Sequence, residues 1–258
     1  MNLDLTGKRA IISAGASGIG RKTAEMFAAA GARVHVCDID QDALEEARAG
    51  VPGLTGSICD VSDTEAFSAF LDEGIAKLGG LDIMVNNAGS AGPTLPVEEI
   101  TLADWESCLS VNLTSAFIGT QKAVPALRAS GGGSIVNLSS AAGKFAFALR
   151  SPYSAAKFAI VGFTRTCALE LGKDKIRVNC IQPGAVEGAR IDRVIKAKAE
   201  AQSISENEMR DKLASIAHMR EFVTATDISS QILFICSEAG RHITGQALSV
   251  DAGLEGLA

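Results

Sequence analysis

Short apolar runs alternate with amphipathic stretches of helical period almost from end to end of the chain. Arg9–Ala14 (RAIISA) reads as a buried strand, and Gly18 to about Ala30 as a helix that Gly31 stops as a C-terminal glycine. Arg33–Cys37, Leu54–Ile58, Leu81–Asn86, Ser134–Leu138, Ile176–Ile181 and Ala247–Val250 read as further strands. Between them the pattern predicts helices over Gln41–Ala49, Asp60–Leu78, Thr101–Leu127, Tyr153–Leu171 and Thr226–Ser237. The helix after Asp60 is expected to start near Ser62, with Glu65 completing a capping box. Ala185–Phe222 is richer in charge, helical in propensity, and interrupts the rhythm. Repeated strand–helix units predict an α/β fold: a mostly parallel sheet with helices on both faces. No linker rich in Pro, Gly and Ser divides the chain, so one domain over residues 1–258 is expected.

Composition narrows the partners. Hydrophobic residues make up 47% of the 258 and charged residues 21%, which suits a sizeable core rather than a disordered chain. The net charge of −6 lacks the basic face that a nucleic acid or an anionic membrane requires. No apolar run approaches the ~18 residues of a membrane span. Met1–Arg9 carries Asp4, Lys8 and Arg9 and no apolar signal core, so a cytoplasmic protein is expected. The six cysteines are scattered without a C-x-x-C pair, which points to small buried thiols rather than a zinc site. His35, His218 and His242 are assigned structural or solvated places, and Trp105 a place in helix packing.

Two constellations carry chemistry. The first is Ser13-Ala14-Gly15-Ala16-Ser17-Gly18-Ile19-Gly20, between the first strand and the first helix. Glycines there let backbone approach a pyrophosphate, and the helix N-terminus offers amides and a positive dipole end. Asp38, twenty residues beyond Gly18 at the end of the second strand, can accept hydrogen bonds from both hydroxyls of a ribose. The second is Tyr153-Ser154-Ala155-Ala156-Lys157. A spacing of four puts phenol and ammonium on one helical face, and the ammonium favours the phenolate that acid–base work near neutral pH requires. Tyr153 is the chain's one tyrosine, and Ser140 follows a predicted strand, at the end where such sheets bind ligands.

Taken together, these stretches resemble the short-chain dehydrogenase/reductase family over essentially the whole chain. The resemblance also rests on Asp60-Val61, Asn86-Asn87-Ala88-Gly89, Asn112, Pro183-Gly184, and Thr244-Gly245-Gln246 with Val250-Asp251. It implies a seven-stranded Rossmann-like sheet, a homotetramer, and a tetrad of Asn112, Ser140, Tyr153 and Lys157. It also implies an NAD site lined by Ser13, Gly15, Ser17, Gly18, Ile19, Asp38, Asp60, Val61, Asn87, Ala88, Gly89, Pro183, Gly184 and Val186, with Tyr153 and Lys157 at its reactive end. Residues 185–222 would form a lid over the substrate. Two positions depart from the family pattern: Ala14 stands for its first glycine, and Gly188 for the threonine that meets the nicotinamide carboxamide.

The expected activity is hydride transfer between NAD and a secondary alcohol or ketone. The alternatives are an NADPH-dependent reductase resembling 3-oxoacyl-carrier-protein reductases, which the charge of Asp38 opposes, and a catalytically silent dinucleotide-binding scaffold, which the complete tetrad opposes. A serine hydrolase lacks its G-x-S-x-G elbow. Lys144, Arg150 and Arg190 are candidates to meet an anionic group on the substrate, against the plainer alternative of surface or interface pairing.

Overall fold

The computed structural model describes residues 2–256, apart from the side chains at 189, 190, 197 and 201. Its strands are β1 (Arg9–Ser13), β2 (Arg33–Asp38), β3 (Thr55–Ile58), β4 (Ile83–Asn86), β5 (Gly133–Leu138), β6 (Ile176–Pro183) and β7 (Ala247–Val250). They form one sheet in the order β3-β2-β1-β4-β5-β6-β7, every neighbouring pair parallel. Strand order reverses between β1 and β4, and the crevice at their carboxyl ends is the place where such sheets hold ligands. This is a single Rossmann-like domain.

Helices α1 (Gly18–Ala29), α2 (Gln41–Gly50) and α9 (Ala225–Cys236) cover one face. Helices α3 (Thr64–Leu78), α5 (Ser115–Ala129) and α6 (Ser151–Leu171) cover the other. Side chains alternate across a strand, so Ile12, Val36 and Val85 pack with Phe27 and Ile232. Their neighbours Ile11, Cys37 and Met84 pack with Phe67, Leu71 and Leu127. Burial on both faces explains why the strands read as continuous apolar runs.

Some local expectations change. Helix α3 starts at Thr64, because the Asp63 carboxylate accepts from the amides of Glu65 (3.1 Å) and Ala66 (3.0 Å). Ser62 instead donates to Asp60, so the Ser62–Glu65 box does not form. The helices expected through 101–127 are α4 (Leu102–Leu109) and α5, and a π-turn (Ser110–Thr114) that the pattern does not show joins them. Trp105 on α4 keeps 36% of its surface exposed, so the helix packing expected of it covers only part of the side chain. The interrupting segment holds α7 (Ala189–Gln202) and α8 (Glu206–Ala214), joined through buried Ile195, Ala199 and Met209. Among the described residues no helix is long and apolar enough to cross a membrane.

His35 is fully buried in β2, with Nδ1 2.8 Å from the Thr55 hydroxyl and its ring stacked 5.1 Å from Phe70. Burial, reinforced by the charge of Lys77, pushes its pKa down to about 4. An unfolded histidine titrates near 6.5, so as pH falls the unfolded chain takes up this proton first. The stabilisation is complete above about pH 6.5 and is lost as pH falls towards 4, by up to about 3 kcal/mol. Denaturant midpoints at pH 7 and pH 4.5 are expected to differ less in His35→Phe than in the parent. Equal declines would refute the assignment.

Candidate active site

The glycine loop lies between β1 and α1. Ala14 adopts φ +50°, the left-handed conformation that favours the glycine it replaces, and carries about 1–2 kcal/mol of strain. A Cβ on Gly15 would lie 2.6 Å from Val36, and one on Gly20 only 2.1 Å from the Ala14 carbonyl oxygen. Both glycines therefore let α1 sit close on the sheet. At Gly18 a Cβ would meet nothing within 4 Å, so the loop faces open space. Ser17 is exposed and makes no cap bond, and the first turn of α1 holds no acidic residue. By contrast, α2, α3, α4 and α9 are each capped by a side chain. Uncapped amides at a positive dipole end fit a pyrophosphate.

Asp38 ends β2, and its carboxylate accepts from the amides of Ala16 (3.0 Å), Ile39 (2.9 Å) and Asp40 (3.3 Å). That links the second strand to the glycine loop. The Ser13 hydroxyl accepts from the amides of Asn87 and Ala88, both at 3.0 Å. The Asn87 side chain donates back to the carbonyls of Ser13 and Ala14. These bonds hold β1 to β4 across the crevice. Val61 is buried behind Asp60, and Ile19 is half-buried at the start of α1.

On the far side, β6 ends at Pro183 opposite Val250. A Cβ on Gly184 would lie 2.8 Å from the Asp251 backbone. Val186 bridges to Val223, and Gly188 starts α7 at φ +128°, ψ 179°, a conformation essentially restricted to glycine. The loss of the family's threonine therefore coincides with a backbone that excludes it.

Tyr153 and Lys157 lie one turn apart at the start of α6, both buried. The Lys157 ammonium donates to the Leu138 carbonyl (2.8 Å) at the end of β5 and lies 5.6 Å from the Tyr153 ring centre. Asn112 sits in the π-turn, its amide donating to the carbonyls of Ser90 (3.0 Å) and Cys108 (2.9 Å). Its Oδ1 is buried without a hydrogen-bond partner among the described residues. A Cβ on Gly89 would lie 3.0 Å from that oxygen and 3.3 Å from the Lys157 nitrogen, so both groups border Gly89. The Ser140 hydroxyl accepts from the Ala142 amide (3.1 Å), and Ser139 donates to the Lys157 carbonyl (2.8 Å). Underneath, Asn86 donates to Asn137 (2.8 Å), which donates to Thr164 (3.0 Å), tying β4 and β5 to α6. Ammonium, phenol and an orphaned amide oxygen at the mouth of the crevice form a site able to move a proton.

Lys144 and Arg150 each make hydrogen bonds of their own. Lys144 turns to Asp251 and Ser249, at 3.3 Å each. Arg150 donates to the Ala91 carbonyl (2.7 Å) and the Thr94 hydroxyl (3.0 Å). Arg190 lies in α7, with its side chain outside the described residues. Residues that the sequence did not single out also enter the site. Cys108 packs against Tyr153, and burial pushes its thiol above the ordinary value. Ser90 and Ser139 hold two tetrad residues through the bonds given above. The one sequence signal for Cys108 was its spacing of four from Asn112.

Sheet order, glycine loop and switch-point site define a nicotinamide-dinucleotide oxidoreductase fold. A family model described as Enoyl-(Acyl carrier protein) reductase matches residues 13–255. The chain is 38% identical to momilactone A synthase of Oryza sativa subsp. japonica, over 97% of this chain and 90% of that protein. L-sorbose reductase from Gluconobacter frateurii, solved with NADPH and L-sorbose, superposes with a TM-score of 0.94 at 29% identity, over 99% of both chains. Carveol dehydrogenase from Mycobacterium avium, solved with NAD, superposes with a TM-score of 0.91 at 31% identity, over 96% of this chain and 98% of that one. The chain belongs to the short-chain dehydrogenase/reductase family.

Backbone conformation at the two departures supplies a paired expectation. Ala14→Gly relieves left-handed strain but loosens the unfolded chain, for a net gain of about 0.5–1 kcal/mol. Gly188→Ala meets no neighbour but forces a glycine-only conformation, and should cost about 1–3 kcal/mol. Thermal midpoints of the two variants should therefore move in opposite directions from the parent. A shift in the same direction would show that these backbone angles do not govern stability.

Proposed function

We propose that the protein is an NAD-dependent dehydrogenase of secondary alcohols and the corresponding ketones. The observation that carries this reading is the meeting of Tyr153, Lys157 and Asn112 at the carboxyl ends of the strands, beside a glycine loop with uncapped helix amides. The uncapped α1 N-terminus would hold the pyrophosphate, Asp38 the adenosine ribose, and Lys157 the nicotinamide ribose. When bound, the nicotinamide accepts or delivers hydride, chemistry that belongs to the cofactor.

Tyr153 exchanges a proton with the substrate oxygen, and Ser140 fixes that oxygen by a hydrogen bond. Lys157 favours the phenolate by its charge. Asn112, whose Oδ1 lies beside Gly89 as the Lys157 ammonium does, holds the route by which that ammonium exchanges protons with solvent. Segment 185–222, with α7 and α8, serves as the lid over the substrate. A homotetramer is proposed on the family pattern. The NADPH held by L-sorbose reductase favours a second reading, an NADPH-dependent reductase. Asp38 weighs against it, because a carboxylate already holding three amides would repel a ribose 2′-phosphate.

Tyr153→Phe keeps the ring and removes the exchangeable proton. Turnover is expected to fall by ~10² or more while NAD binding, followed by cofactor fluorescence, persists. Near-normal turnover would refute the tyrosine's role.

The parent should favour NAD over NADP in kcat/KM, and Asp38→Ser should narrow that preference chiefly by weakening NAD. Comparable kcat/KM for the two cofactors in the parent would decide for the NADPH reading.

A further inference from the structure

Among the described residues, Lys157 and Arg150 both set a cation at the reacting phenol. The Arg150 guanidinium carbon lies 5.5 Å from the Tyr153 ring centre, against 5.6 Å for the Lys157 nitrogen. Arg150 immediately precedes α6, and contacts with the described residues hold it. It donates to the Ala91 carbonyl and the Thr94 hydroxyl, and it lies over the Phe147 ring at 5.4 Å. The same loops are joined by the Leu95 amide donating to the Leu149 carbonyl (3.0 Å). The guanidinium is thus held over the phenol by the loop at 90–96 on one side and the start of α6 on the other.

We propose that Arg150 is a positioning residue for the proton transfer: with Lys157 it sets the proton affinity of Tyr153, rather than binding an anionic group of the substrate. At this separation and partial exposure, a unit charge moves a neighbour's titration by about 0.5–1 pH unit. Titratable groups on the neighbouring elements have environments of their own. Cys108 on α4 is held neutral by burial and itself feels both cations. Lys144, beyond the short turn after Ser140, is directed to Asp251. Asp104 on α4 caps its own helix against Thr101, and Glu106 is exposed.

The proposal rests on Tyr153 as the proton-exchanging group, but its test does not. Tyr153 is the one tyrosine in the chain, so the tyrosinate absorbance of the whole protein titrates this residue alone, and Tyr153→Phe abolishes the signal as a control. Arg150→Met and Arg150→Gln remove the charge, the second keeping an amide able to donate to the Ala91 carbonyl. Both should raise the tyrosinate midpoint, and the limb of kcat/KM against pH, by about 0.5–1 unit. Arg150→Lys should return both towards the parent. An unmoved midpoint with activity lost evenly across pH would overturn the proposal and leave Arg150 a tie between loops. An unmoved midpoint with KM raised only for an anionic alcohol would overturn it in favour of a substrate contact. If instead Tyr153→Phe stays active while the midpoint still moves, the proposed mechanism fails and the electrostatic assignment stands.

Discussion

A buried ammonium constrains this structure more than any other single group. Lys157 is only 3% exposed, and a charge so removed from water costs several kcal/mol unless polar atoms converge on it. That requirement explains why β5 ends at Leu138, leaving its carbonyl to receive the ammonium. The Ser139 hydroxyl turns back onto the lysine's own carbonyl, fixing α6 to the strand end. A carbonyl, the phenol ring and the Asn112 oxygen share one small volume beside Gly89, a position where a side chain would lie against both the oxygen and the ammonium. The buried ladder from Asn86 through Asn137 to Thr164 holds strands and helix in the register that this convergence needs.

The opposite end of the crevice is organised by backbone instead. Close approach at Gly15 and Gly20 brings α1 onto the sheet, while Ser13 and Asn87 exchange hydrogen bonds across β1 and β4. Asp38 extends that network to the glycine loop through the Ala16 amide. The carboxylate suited to a ribose is thus also part of the loop's own architecture. Strain at Ala14 and the glycine-only angles at Gly188 stand at the two edges of the crevice, where departures from the family pattern fall.

Much of this was legible along the chain. Strands buried on both faces show as apolar runs, and helices as a 3.6-residue period, because these patterns depend on neighbours a few residues away. Tyr153 and Lys157, four apart on one helix, stood out for the same reason. Where local signals competed, the sequence was ambiguous: Ser62 and Asp63 can both cap α3, and the charged, short Asp63 side chain reaches two amides while Ser62 is held by Asp60. The 101–127 helix pattern hid a π-turn, because five residues of altered winding barely disturb hydrophobic periodicity.

What only the tertiary structure decided is which side chains meet across long separations. Asn112 and Lys157 are brought together from different helices, and Ser13 and Asn87 from different strands. The basic residues around the cleft are divided the same way: Lys144 goes to Asp251, and Arg150 to Ala91, Thr94 and the face of Tyr153. Sequence determined the repeating α/β units and the chemistry each strand end carries, since both are written in local order. Partners were decided by the stacking of helices on the sheet, because contact between residues dozens of positions apart has no local pattern to record it.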